Sequence, residues 1–547
     1  MLIPVLFAAA TFLSSYLYTK VTKLRYLRFA QYEHIPQLPT SLLWGHLKTL
    51  GELTKRGTND RHPDKIFEEM WEAKGKPPIM FVDLRPVSAP MLLVTTHEVA
   101  EQVSRPSKLF PLSPTKSPTW THMAPIIGMT SILAKEGHEW KDLRRRYTPG
   151  FTSRHLWTLL PLILEKTKPF IQHLDHFAAT NQVFPIETII SNLTFDIIGA
   201  AVLYVDLNAQ HLDRSQQGEV IRLLWELLRT YADDKNNLPW WLIPRVHYKR
   251  RRLGKRIDTL VRALVCQKYA EAKSQRSSSS TTKDISSIVA LSFQDSDTET
   301  LLTPSKLTET SDQVRTFLFA GHDSLTSSLQ WAFYELSRTP RALQAVRKEL
   351  DSVLGPETDP AAICARLLSH SEDIFPKMKY INAVIKETLR LHPPASTVRM
   401  AAPGSGFTLR TSATDGQKDY LVDGLILYSC QSIIQRDPAV YGDNADKWVP
   451  ERWLEKNADI PAAAWRPFER GPRNCMGQEL ANLESRVIIA IVARKYEFVK
   501  VGLGESVSND VDEYGQFKVR EELYNTRRVT AKPVDGTLMP VKLASPS

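Results

Sequence analysis

Cysteine is scarce in this chain: Cys266, Cys364, Cys430 and Cys475 are the four among 547 residues. They are far apart and no C-x-x-C pair occurs. That excludes a disulfide scaffold or a zinc ribbon and fits a reducing compartment. No repeat of fixed period is present and no linker is long enough to divide the chain, so one large catalytic unit is expected. A G-x-G-x-x-G turn following a strand is missing, which leaves nothing to bind a nicotinamide directly. Nucleic-acid recognition motifs are missing too, although the net charge is +10. A basic surplus without such a motif points to solubility, an acidic protein partner or an anionic membrane surface, not to nucleic acid. The remaining composition, 42% hydrophobic and 24% charged, is that of an ordinary globular protein.

What is present begins with "MLIPVLFAAATFLSSYLY", an uncharged run over residues 1–18 that is close to the minimum for crossing a bilayer. Lys20, Lys23, Arg25 and Arg28 follow it and no cation precedes it, so the positive-inside rule places the rest of the chain in the cytosol. A cleaved signal peptide is the weaker reading, because the basic n-region and the small-residue cleavage site are missing. The expected organisation is a transmembrane anchor over 1–19, a basic and proline-containing hinge over 20–40, and a catalytic domain over 41–547. Pro36 and Pro39 should stiffen the hinge in an extended form.

Within the body, "APMLLVTT" reads as a strand and the proline-broken residues 110–125 as a long loop of the kind that borders a site. Helix periodicity dominates residues 156–271, and two further helices are expected over 311–336 and 341–354. "QRSSSSTTKD" (275–284) reads as a flexible connector, and residues 404–424 carry hairpin turn chemistry. "HYKRRRLGKR" (247–256) is the densest charge run. It reads first as a solvated helix face and second as a contact for lipid or an acidic partner.

The chemistry is carried by "FERGPRNCMGQELA", residues 468–481. Cys475 lies between a cation and two glycines, just before an apolar-striped helix. Backbone N–H groups at a helix start favour a thiolate, and a thiolate is a metal ligand. Gly471 and Gly477 would allow the backbone to approach a large flat ligand, and Arg473 would pair with an anion on it. The bland alternative is a buried free cysteine.

The spacing F-x-x-G-x-R-x-C-x-G, from Phe468 through Gly471, Arg473 and Cys475 to Gly477, resembles the haem-binding signature of the cytochrome P-450 superfamily. Three further patterns follow the family's order: "KETLRLHPP" with Glu387 and Arg390, "PERW" with Arg452, and "GHEWKDLRRR" with Trp140 and Arg144. The resemblance implies a mainly α fold with small β-sheets and haem b whose iron takes Cys475 as axial ligand. It implies that Trp140, Arg144, Arg399 and Arg473 hold the propionates and that Glu387, Arg390 and Arg452 lock the core. It further implies that Asp323 and Ser324, in "FLFAGHDSLTSS", form an acid–alcohol pair that delivers protons. Ser324 stands where the family has Thr, and Thr326 is a second candidate hydroxyl.

By the same resemblance, the expected protein is a membrane-bound monooxygenase of the endoplasmic reticulum, fungal in type. It would oxidise a lipophilic small molecule with O2 in secondary metabolism. Electrons would come from a separate NADPH–cytochrome P-450 reductase, with cytochrome b5 as a further donor. Rival readings are a haem-thiolate isomerase or dehydratase that needs no reductase, and a non-catalytic haem sensor.

Overall fold

The computed structural model describes residues 2–544 apart from 59, 233–241, 278–286, 294–301, 414–415 and 455–459. Most of the serine-rich connector therefore lies outside the described residues. The architecture is mainly helical with small sheets, as the sequence pattern implied.

The longest helix, Pro304–Arg338, runs through the middle of the protein. It starts where the Thr303 side chain accepts from the Lys306 N–H and Pro304 fills the first turn, a position that needs no donor. From Thr310 onward it is buried on nearly every side, which explains why its apolar residues show no clean stripe. The helix Ile186–Leu203 packs along it. At their crossing sits Gly321, where a Cβ would fall 2.6 Å from the Ile198 side chain. Gly321 is thus explained by the closeness of two helices, at a helix-propensity cost of about 1 kcal/mol.

A five-stranded sheet stands beside the helices in the order Ile79–Val82, Met91–Val94, Ile426–Ser429, Thr397–Met400, Thr115–Lys116. The last pair matters for the site, because its register sets Lys116 opposite Arg399. The expected long loop over 110–125 accordingly contains a short strand and a 3-10 turn, Pro118–Met123. The hairpin expected over 404–424 is formed by Thr408–Arg410 and Asp419–Leu421.

A buried polar lock holds the helix Lys379–Leu391 to the segment that follows the sheet. Arg390 grips both carboxylate oxygens of Glu387, at 2.9 and 2.8 Å. The same carboxylate accepts from Arg452 Nε, Trp453 Nε1 and the Val449 N–H, each at 2.9 Å. Glu387 and Arg390 are fully buried. Every lone pair of the buried charge is met, the condition under which such an ion pair is tolerated.

At the amino end the helix Leu2–Arg25 exposes Ile3, Leu6, Phe7 and Phe12 to its surroundings. It passes through the expected hinge: a π-helical turn, Tyr26–Ala30, continues it, and Arg28 is buried in an ion pair with Asp83 at 2.7 Å. The extended part is confined to residues 36–40, where the two prolines sit. The basic residues therefore prolong the helix as far as Ala30, and turns over 31–35 lead into the extended part. Among the described residues, the helix apolar and long enough to cross a membrane is Ile186–Leu203. It is 94% buried, so its hydropathy reflects core packing.

Candidate active site

The loop that carries Cys475 is closed by its own backbone. The Cys475 N–H donates to the Phe468 carbonyl at 2.8 Å, and the Asn474 N–H donates to Gly471 at 3.1 Å. Gly471 has φ +75°, and a Cβ there would lie 2.2 Å from the Ser104 carbonyl oxygen. Gly471 thereby admits the end of the helix His97–Ser104, a reason for the glycine that the sequence did not show. At Gly477 there is open space instead. The nearest atom to a Cβ built there is the Cys475 sulfur at 3.9 Å, and the residue borders open cavity.

That cavity measures about 410 Å³ and is predominantly apolar. Cys475, Met476 and Gly477 form one wall, and Phe317, Ala320, Gly321 and Ser324 of the longest helix line it too. Cys475 is accessible from the cavity yet enclosed from bulk solvent. Burial pushes its thiol up, against the opposing pull of the Gly477 N–H, the Arg144 guanidinium and the Gln478 N–H. The helix-start amides expected to ionise the thiol are present, but desolvation outweighs them. A bound metal would supply the missing stabilisation, since ligation releases the proton. Cys364 is half-buried, 4.0 Å from the Thr167 hydroxyl, and does not line this cavity.

Three cations, Lys116, Arg144 and Arg473, line the cavity, and Arg399 is the strand partner of Lys116. Arg144 and Trp140 lie one turn apart on the helix Gly137–Tyr147, as their i, i+4 spacing required. Arg144 donates to the Asn474 carbonyl and side-chain oxygens at 2.7 and 2.9 Å, which ties it to the cysteine loop. Arg473 lies over the Trp140 ring with 4.5 Å to its centroid and pairs with Glu136. Arg399 is buried on its strand. Lys116, beside it, was not recognised from the sequence, because only strand pairing across 283 positions makes it a neighbour of Arg399.

These charges are poorly compensated. Burial, Arg399 and Arg473 push the Lys116 ammonium down to about 7, with Glu136 opposing. Burial lowers Arg473 to about 10. The Nε atoms of Arg399 and Arg473 are buried without a partner. Orphaned guanidinium donors and a crowded lysine in and beside an apolar cavity, with a thiol in its wall, suit a flat apolar ligand carrying carboxylates.

The acid–alcohol pair is divided between two cavities. Ser324 lines the large one, and its hydroxyl donates to the Ala320 carbonyl at 2.8 Å. Asp323 does not line it. Its carboxylate turns to a separate polar cavity of about 180 Å³ shared with Glu187, Arg528 and Lys532. Burial alone would raise that carboxyl, but Lys532, His322 and Thr530 overcome it and hold it below the usual range. Thr326 is no rival to Ser324, since it bonds the Thr194 hydroxyl at 3.1 Å between two helices.

Glu484, also unrecognised from the sequence, lines the large cavity. It is 3% exposed, its Oε2 has no partner, and burial holds its carboxyl well above the normal range. Its i+9 distance from Cys475 gave no signal, because only the path of the following helix returns it to the cavity.

Comparison with known proteins agrees with this geometry. The profile of the family described as Cytochrome P450 matches residues 43–512. The cytochrome P450 monooxygenase acrF of Aspergillus aculeatus is 30% identical over 509 residues, covering 88% of this chain and 98% of that protein. The cytochrome P450 monooxygenase polC of Polytolypa hystricis is 30% identical over 501 residues, covering 89% and 85%. A self-sufficient cytochrome P450 monooxygenase of Oidiodendron maius is 34% identical over 183 residues, 33% of this chain and 15% of that protein. The chain belongs to the cytochrome P450 family of monooxygenases, whose members hold haem b through an axial cysteine thiolate.

Proposed function

We propose that Cys475 is the axial ligand and that the protein oxidises a lipophilic small molecule in a fungal secondary pathway. The observation that carries this reading is the placement of Cys475 in an apolar cavity that Lys116, Arg144 and Arg473 also line, with Arg399 set opposite Lys116 on the paired strand. The residues fit haem b: the orphaned Nε atoms of Arg399 and Arg473 and the crowded Lys116 suit the two propionates, and Trp140 packs under Arg473. Bound haem supplies the activation of O2, with one oxygen atom entering substrate and the other leaving as water at the cost of two electrons.

The protein's own part is positioning, exclusion of water and proton supply. Phe317, Ile132 and Leu133 give the substrate side an apolar surface, consistent with a lipophilic molecule. The Ser324 hydroxyl faces that space and can pass a proton once it leaves the Ala320 carbonyl. Asp323 is the proton source behind it. In this reading its carboxylate breaks from Lys532 and rotates between the polar cavity and the large one, alternately charged and protonated.

Membrane attachment through the helix Leu2–Arg25 follows from its exposed apolar side chains and the basic residues at its end. In this reading the protein sits on the cytosolic face of the endoplasmic reticulum. NADPH-derived electrons then arrive from a separate reductase, with cytochrome b5 as a further donor, and the positive net charge favours docking an acidic partner. The test is spectral. The reduced, carbon-monoxide-bound protein is expected to show the thiolate type of Soret band, Cys364→Ala to retain it and Cys475→Ala to lose it. A histidine-type band in the unaltered protein overturns the assignment.

A further inference from the structure

The basic run at 247–256 is divided by the fold into two functions. On one side of the helix Pro244–Ser277, Lys249 pairs with Glu226 at 2.9 Å and Arg256 with Glu219 at 2.9 Å. Those cations are ordinary surface charges met by the helix Glu219–Arg229. The opposite side, at i, i+4 and i, i+3 steps through His247, Arg251, Lys255 and Asp258, lines a groove of about 700 Å³. Its other walls are residues 121–130 and the first turns of the longest helix.

The groove is built, and it is electrostatically unbalanced. Gly254 lets the loop approach, since a Cβ there would lie 2.6 Å from the Pro125 carbonyl oxygen. Two carboxylates face it and both are engaged. Asp258 pairs with Arg262 at 2.7 Å, and Asp312 with Arg315 at 3.2 Å while accepting from the Thr130 N–H and hydroxyl. Arg250 lies over the Tyr231 ring and donates to Thr230. Among the described residues the Arg251 and Lys255 side chains have no ion-pair or hydrogen-bond partner. His122 and His247 add two imidazoles. Burial and the nearby guanidiniums lower both: Arg250 acts on His122, and Arg251 and Arg250 act on His247. Cations concentrated in a concavity focus a positive potential there.

We infer that this groove is an oxyanion-binding site, separate from the haem cavity, that takes a phosphate group through Arg251, Lys255 and the two histidines. The phosphate belongs either to a lipid headgroup or to a soluble phosphorylated molecule, since the recognising chemistry is the same. The site's residues lie outside the catalytic cavity, so it stands or falls independently of haem ligation.

Lysine footprinting tests it on the full chain in phosphatidylcholine nanodiscs, with acetylation of Lys255 read by peptide mass spectrometry and Lys249 as the internal control. Inorganic phosphate at twice its dissociation constant, with ionic strength held by chloride, is expected to slow labelling of Lys255 about threefold and to leave Lys249 unchanged. Arg251→Gln is expected to abolish that protection. Protection by phosphatidic acid in the disc without added phosphate assigns the site to lipid, and protection by inorganic phosphate assigns it to a soluble ligand. Equal labelling under all conditions, equal protection of Lys249, or protection that survives Arg251→Gln overturns the proposal.

Discussion

The Asp323 carboxylate and the Lys532 ammonium meet at 2.5 Å inside the protein, joining the longest helix to the short strand Lys532–Pro533 near the carboxyl end. Thr530 donates to the other oxygen of the same carboxylate at 2.7 Å. The pair controls which cavity the acid serves. Replacing Lys532 by Met leaves a buried carboxyl without its counter-ion, at a cost of about 3–5 kcal/mol. Denaturant midpoints should fall accordingly, and Asp323→Asn in the same background should recover part of the loss.

Proton supply makes a separate prediction. Ser324→Ala removes the one hydroxyl of the acid–alcohol pair that reaches the large cavity. Product formed per NADPH consumed should drop and peroxide should rise. Ser324→Thr restores the hydroxyl with a stiffer rotamer and should raise coupling above that of the unaltered protein. Equal coupling in all three proteins would remove Ser324 from the mechanism. Asp323→Asn should lower the turnover rate about 100-fold if the acid is the general acid behind it.

Acid sensitivity is traceable to a histidine. His322 is fully buried, stacked on Phe195 with 3.6 Å between ring centroids, and burial pushes its imidazole down to about 4. The unfolded chain titrates near 6.5, so between pH 6.5 and 4 it binds a proton that the folded protein refuses. Stability from this group is therefore complete above pH 6.5 and is lost as pH falls toward 4, by about 3 kcal/mol. His322→Phe should flatten urea midpoints measured across that window.

Haem retention should depend on Lys116 as much as on the arginines visible in the motifs. Lys116→Met removes one charge-assisted donor, each such bond contributing about 1.5–3 kcal/mol. Transfer of haem to a competing apoprotein should speed up about tenfold or more. Lys116→Arg should behave like the unaltered protein, and an unchanged transfer rate in Lys116→Met would exclude it from the propionate set.

The polar lock gives a stability prediction. Glu387→Ala leaves Arg390 and Arg452 buried without their carboxylate and should cost about 3–5 kcal/mol. Glu387→Gln keeps the acceptor but not the charge and should cost less. The order of denaturant midpoints checks both.

Local spacing determined a good deal of this protein. The cysteine loop, Trp140 with Arg144, and Glu387 with Arg390 are each within one loop or one helical turn, where chain geometry leaves little choice. The longest helix and the Met91–Val94 strand were legible as local runs, although the helix begins at Pro304, ahead of the expected residue 311. Tertiary structure decided the rest, because it depends on where distant segments meet. Pairing of Thr115–Lys116 with Thr397–Met400 made Lys116 a neighbour of Arg399. The crossing with Ile186–Leu203 and the approach of His97–Ser104 gave Gly321 and Gly471 their reasons. Strand Lys532–Pro533 turned Asp323 away from its serine. Two residues adjacent in sequence lie 100° apart on a helix, so neighbours in a motif can face different cavities, and only packing says which.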